Sequence, residues 1–165
     1  MLPRIDKILY ASDLGEHAPR VFAHAVALAQ GLGATITFLH ALEPLGPTGR
    51  SLVRNIVPKD QLERLETEGL ARVRTQIRDR IDAFCKAELG EAVSAAEMVE
   101  AVHIVEAAPA QAILDTARET AADLIVLGAH GRGALSRAFI GSVAQKVVAH
   151  ADRPVLLVPL PQERL

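Results

Sequence analysis

Five short apolar runs, separated by longer stretches of helical periodicity, leave this chain few folds to choose from. Ile5 to Ser12 contains Ile8-Leu9-Tyr10-Ala11 and then the turn formers Ser12-Asp13-Leu14-Gly15, a strand followed by a loop. From Glu16 to Leu32, apolar residues recur at Val21, Ala25, Leu28 and Leu32 with helical spacing, and Gly31 and Gly33 supply the stop. Ala34 to Ala41 is a second strand, rich in β-branched residues. Lys59 to Leu89 predicts a long helix with Leu62, Leu65, Leu70, Val73, Ile77, Ile81 and Phe84 on its inward face. Met98 to Glu106 alternates unevenly, as a partly exposed edge strand does, and Pro109 suits the first turn of the helix that follows. Asp123 to Leu127 and Val155 to Val158 are near-continuous apolar runs. Between them, Gly141 to His150 is a short helix with Val143, Val147 and Val148 inward.

This βαβαβαβαβ order predicts an α/β fold: an open, doubly wound parallel sheet of five strands, joined by right-handed crossovers with helices on both faces. Residues 1–165 read as a single domain, a length that one core fills. Glu43 to Pro58 holds Pro44, Gly46, Pro47, Gly49 and Pro58, a density of breakers that argues against a regular element and for a loop or lid.

Charge and composition narrow the function classes. A net charge of -2 gives no electrostatic reason to expect nucleic acid or an anionic membrane as a partner. The absence of Trp, with one Tyr and four Phe, leaves little material for stacking single-stranded bases. Arg72, Arg74, Arg78 and Arg80 could form a nucleic-acid surface, but the Glu and Asp interleaved along the same helix make a solvated face the better reading. Cys85 is the only cysteine, so an intrachain disulfide is impossible; on the inward side of the long helix it reads as a small buried hydrophobe. The start, Met-Leu-Pro-Arg-Ile-Asp-Lys, carries charge where a signal peptide is apolar, and no run approaches the length of a membrane span. A cytoplasmic location is expected.

In an open α/β sheet, ligands bind beyond the carboxyl ends of the strands, where the strand order reverses. The loops that matter are then Ala11 to Gly15 and Gly128 to Ile140. The second holds Gly128, Gly131 and Gly133 within six positions, so backbone N–H groups can approach a ligand closely. It ends at Gly141-Ser142, where the N–H groups and positive dipole end of a new helix suit a phosphate. His130, Arg132 and Arg137 could add charge. Glycine-rich turns also serve as plain connections, and the loop alone leaves both readings open.

The spacing Gly128-x2-Gly131-x9-Gly141-Ser142 resembles the signature G-x2-G-x9-G-[S/T] of the ATP-binding branch of the universal stress proteins. Ala-Asp-Leu-Ile-Val-Leu-Gly before the loop, Gly-Ser-Val-Ala-Gln-Lys-Val-Val after it, the closing Arg-Pro-Val-Leu-Leu-Val-Pro and the early Ile-Leu-Tyr-Ala-Ser-Asp are similar to the same family, in the same order. The resemblance implies strand order 3-2-1-4-5 and a homodimer paired through Val155 to Val158. It implies that Ala11, Ser12 and Asp13 line the nucleoside side of a pocket and that Ala41 lies against adenine. Gly128, Gly131, Gly141, Ser142 and Val143 would hold ribose and phosphates, with His130 and Arg132 close by. The implied ligand is ATP, ADP or AMP, with or without Mg²⁺. Ala107-Ala108-Pro109 departs from the Gly-x-Pro turn common in the family.

No Gly-x4-Gly-Lys-[Ser/Thr] motif accompanies a second acidic motif, and no nucleophile elbow is present. None of His17, His24, His40, His103, His130 and His150 falls in a recognised metal spacing. The expected function is a nucleotide-binding regulatory or stress-response module, with slow ATP hydrolysis at most. A true ATPase or adenylylating enzyme and a dimeric scaffold that takes no nucleotide stand as the alternatives.

Overall fold

The computed structural model describes residues 1–90, 95–130 and 140–161. Its strands are β1 (Lys7–Ala11), β2 (Thr35–Leu42), β3 (Val99–Glu106), β4 (Leu124–Gly128) and β5 (Val155–Val158). They form one sheet in the order β3-β2-β1-β4-β5, and every pairing is parallel. The helices are α1 (Ala18–Leu32), α2 (Pro47–Ile56), α3 (Lys59–Leu89), α4 (Ala95–Met98), α5 (Pro109–Glu119) and α6 (Ser142–His150).

Alternation along β1 separates two cores. Ile8 and Tyr10 pack with Val21, Phe22 and Ala25 of α1 and Ile77, Ile81 and Cys85 of α3. Leu9 points the other way, into a core with Ile113 and Ala117 of α5 and Ala144 and Val147 of α6. On the first face Tyr10, Phe22, Phe38 and Phe84 form a ring cluster with centroids 4.9 to 6.2 Å apart, the tilted and edge-on spacing that aromatic quadrupoles favour. The Tyr10 hydroxyl donates to the Ala18 carbonyl at 3.0 Å, so the one polar atom of that ring is satisfied at the start of α1.

Helix ends follow local chemistry. Gly33 closes α1 in the left-handed conformation at φ 67, its N–H on the Ala29 carbonyl. Pro109 opens α5, where a missing N–H costs nothing. The turn before it needs no glycine: Leu14 and Ala121 are the only non-glycine residues with positive φ among the described residues, so Ala107 and Ala108 are unstrained.

Three expectations are corrected. The segment from Glu43 to Pro58 is not a loop over most of its length, because Pro47–Ile56 is helical. Its breakers sit where breakers are tolerated: Gly46 is the N-cap, Pro47 opens the helix, Pro58 is the N-cap of α3, and only Gly49 is interior. The inward face of α3 is also shorter than its periodicity suggests. Ile77, Ile81 and Cys85 are buried, whereas Leu65 and Leu70 are exposed, so full burial is confined to the C-terminal half of this 31-residue helix. Val148 is likewise exposed, and Ala144 with Val147 forms the buried stripe of α6.

Sheet edges receive separate treatment. At the β3 edge, Arg74 of α3 donates from Nη1 to the Val102 carbonyl at 2.7 Å. Nearer β5, Arg153 donates from one guanidinium nitrogen to the carbonyls of Ala117 and Ala122, which ties the end of α5 to the approach to β5.

Candidate functional site

The strand order reverses between β1 and β4, which are neighbours, while the chain leaves them for helices on opposite faces. The loops after β1 and β4 therefore open side by side at the carboxyl edge, the position where such sheets take ligands. Ala11 ends β1, with Ser12 and Asp13 directly after it; Ala41 lies near the end of β2. Gly128 ends β4 and His130 follows two residues later. Gly141, Ser142 and Val143 return the chain as the N-cap and first turn of α6. Gly131, Arg132 and Arg137 lie outside the described residues.

The two arms of the glycine segment are joined by their backbones. The Gly141 N–H donates to the Ala129 carbonyl at 2.8 Å, and the Ala129 N–H donates to the Val158 carbonyl at 2.9 Å. The N-terminus of α6 is thereby held next to the end of β4. Among the described residues no side chain caps α6, and Ser142 is exposed, so the first-turn N–H groups keep the partial positive charge of an uncapped helix start. At Gly128 a Cβ would lie 3.3 Å from the His130 carbonyl oxygen and from Leu160, and 3.4 Å from Val21. A side chain there fits only if these neighbours give by a few tenths of an ångström. Nε2 of His130 is buried with no hydrogen-bond partner among the described residues.

The loop after β1 is pinned residue by residue. The Ser12 N–H donates to the Leu39 carbonyl at 2.9 Å, and Ser12 Oγ accepts the Leu14 N–H at 3.1 Å. Asp13 Oδ1 accepts the Gly15 N–H at 2.8 Å, a side chain closing its own turn. A Cβ on Gly15 would stand 2.9 Å from that oxygen, so the carboxylate and the glycine share one space. Leu14 takes a left-handed conformation at φ 56, unfavourable for an L-residue by about 1–2 kcal/mol. Asp13 is exposed above this turn.

Two residues that bear on this loop are not evident in the sequence. Nδ1 of His40 lies 2.9 Å from the Ser12 carbonyl, and Nη1 of Arg80 donates to the Leu14 carbonyl at 3.3 Å. Arg74 and Arg80 are therefore anchors, a correction to the reading of that arginine cluster as solvated throughout. Their partners lie 28 and 66 residues away, so no local signal could have marked them. His24 and His150 bond carbonyls of their own helices. No group of three or more His, Cys, Asp or Glu suited to a metal occurs among the described residues. No helix among them is long and apolar enough to cross a membrane.

The family model for the universal stress protein family matches residues 4–159. The chain belongs to the universal stress protein family. A universal stress protein of Thermus aquaticus is 38% identical over 151 residues, 92% of this chain and 96% of the Thermus protein. The structure of universal stress protein UspA from Lactobacillus plantarum superposes with a TM-score of 0.70 at 25% identity, covering 95% of this chain and 99% of that one. A universal stress protein solved in complex with cAMP has the same fold, with a TM-score of 0.62 at 21% identity over 95% of this chain and 98% of its own. The sheet order 3-2-1-4-5 expected from the universal stress protein resemblance is the one observed.

Proposed function

We propose that this chain is a single-domain, cytoplasmic regulatory protein that binds an adenine nucleotide, ATP, ADP or AMP, across the carboxyl ends of β1, β2 and β4. The observation that carries the reading is the bond from the Gly141 N–H to the Ala129 carbonyl, which sets the uncapped start of α6 beside the end of β4. An anion placed there meets oriented N–H groups and a helix dipole. In this reading the exposed Asp13 carboxylate orients a ribose hydroxyl or holds Mg²⁺, and Ala41 leaves room for a flat base. Gly128, Gly131, Gly141, Ser142 and Val143 take ribose and phosphates, with His130 and Arg132 beside them. The buried Nε2 of His130, without a partner among the described residues, supports a polar ligand at this mouth. The relative held in complex with cAMP supports the class of ligand.

The same reading makes the protein a homodimer through β5, a sheet-edge strand whose Val155, Leu156 and Leu157 are only half-buried in the lone chain. Light scattering gives its mass in solution directly. The lone thiol, Cys85, buried in the core, suits a reducing cytoplasm.

The test is the nucleotide content of the purified protein, released by denaturation and identified by mass. ATP, ADP or AMP is expected in the native protein and absent from Gly131→Val. An empty native protein that gains no thermal stability from millimolar ATP would leave an interaction scaffold. Steady turnover that depends on both Asp13 and Mg²⁺ would make it an ATPase.

A further inference from the structure

We propose that His40 is a positioning residue for nucleotide binding, holding the Asp13 turn in place through the carbonyl of Ser12. The proposal rests on the nucleotide reading given above. A carbonyl oxygen only accepts, so the nitrogen 2.9 Å from it, Nδ1 of His40, must carry the proton, and the ring is held in a form with an Nδ1–H.

The placement explains why a side chain is needed. The register of β1 against β2 ends at the pair Ala11 and Leu39. One residue further on, the Ser12 N–H still reaches the Leu39 carbonyl, and the Ser12 carbonyl is met by the His40 side chain. Two successive residues of β2 therefore hold the peptide groups on both sides of Ser12 just as the chain turns away from the sheet. Beyond that point the loop contains Leu14 in its left-handed conformation, which persists only where surrounding contacts over-determine it. The bond within the Asp13 turn is local and cannot orient the turn against the sheet. His40 can, and Arg80 adds a second, longer tie at Leu14. His40 also directly precedes Ala41, so one short piece of β2 holds the Asp13 turn and supplies a wall of the proposed pocket.

Calorimetric titration with ATP of the full chain and of His40→Leu, His40→Asn and His40→Gln tests this. Asn carries an amide donor close to where Nδ1 lies, whereas Gln carries it near Nε2. Loss of one half-buried hydrogen bond predicts about tenfold weaker ATP binding for His40→Leu, with Asn recovering most of the affinity and Gln little. Amide hydrogen exchange of Leu14 and Gly15 in the ligand-free protein should quicken in the Leu variant and return toward the native rate in the Asn variant. An unaffected Leu variant, or rescue by Gln as good as by Asn, overturns the proposal. Should His40→Leu fail to fold, the Asn and Gln pair decides. A native protein that takes up no adenine nucleotide instead removes the reading beneath it, and the exchange rates then still report whether His40 holds the turn.

Discussion

The two halves of α3 obey the same sequence pattern and have different fates. From Arg74 to Cys85 the helix lies on the sheet, with Ile77, Ile81 and Cys85 in one core with Tyr10, Phe22 and Phe38, and Arg74 and Arg80 tie it to the Val102 carbonyl of β3 and to the loop after β1. Toward Lys59 the apolar stripe continues through Leu65 and Leu70, which are 58% and 44% exposed, and α2 just before it buries none of its residues. Periodicity thus reports which residues share a face. Whether that face meets anything depends on how far the sheet extends beneath it.

The sharpest way to break the comparison is truncation on each side of it. Ile77→Ala, at a fully buried position, should cost about 2–5 kcal/mol, read as a lower denaturant midpoint at unchanged slope. A loss under about 1 kcal/mol would mean that the buried half is no firmer than the exposed half.

A second difference shows on the alkaline side. Burial pushes the Tyr10 phenol well above its ordinary value, with Asp13 adding to the rise and Ser12 opposing it; burial and then Asp82 push the Cys85 thiol up. Both groups are neutral when protonated, so the folded state keeps protons that the unfolded chain releases. Stability from these groups is whole below about pH 8.5; it falls above that as the unfolded chain's thiol ionises, and more steeply past about pH 10 as the phenol joins, each group contributing a slope of up to about 1.4 kcal/mol per pH unit. Urea unfolding at pH 8, 9 and 10 should show the decline, and Cys85→Ala should remove its earlier part.

Smaller again is Arg74→Gln, which exchanges a charged donor on the Val102 carbonyl for a shorter one and should cost about 1 kcal/mol. The smallest effect belongs to Leu65→Ala, within about 0.5 kcal/mol of the native protein in thermal or urea unfolding. A larger loss at Leu65 would show that its stripe is covered in solution, and the same variant's mass by light scattering would say whether by a second copy.

Much of the architecture was legible in the residues. Val155–Val158 was read with its observed ends, and the other strands to within a residue or two, because β-branched runs bounded by Gly, Pro and Asp leave little choice. The order of the strands came from the family resemblance rather than from the pattern. The helix at Pro47–Ile56 is hidden by the density of breakers around it, although Gly46, Pro47 and Pro58 all stand at helix ends. At the site, Ala11, Ser12, Asp13, Ala41, Gly128 and Gly141 to Val143 do gather at one edge of the sheet, as the topology requires. Arg80 and His40 stayed hidden, since a side chain that binds a distant carbonyl leaves no spacing in the sequence to find.

The arginine at the β3 edge bears on growth as well as on stability. A newcomer adding a strand beside β3 must first dislodge the guanidinium that occupies the Val102 carbonyl, whereas no such stopper stands at β5 among the described residues. A sheet blocked on one side has a single edge left for strand pairing, so any such pairing would stop at two molecules; open on both, they would string into filaments.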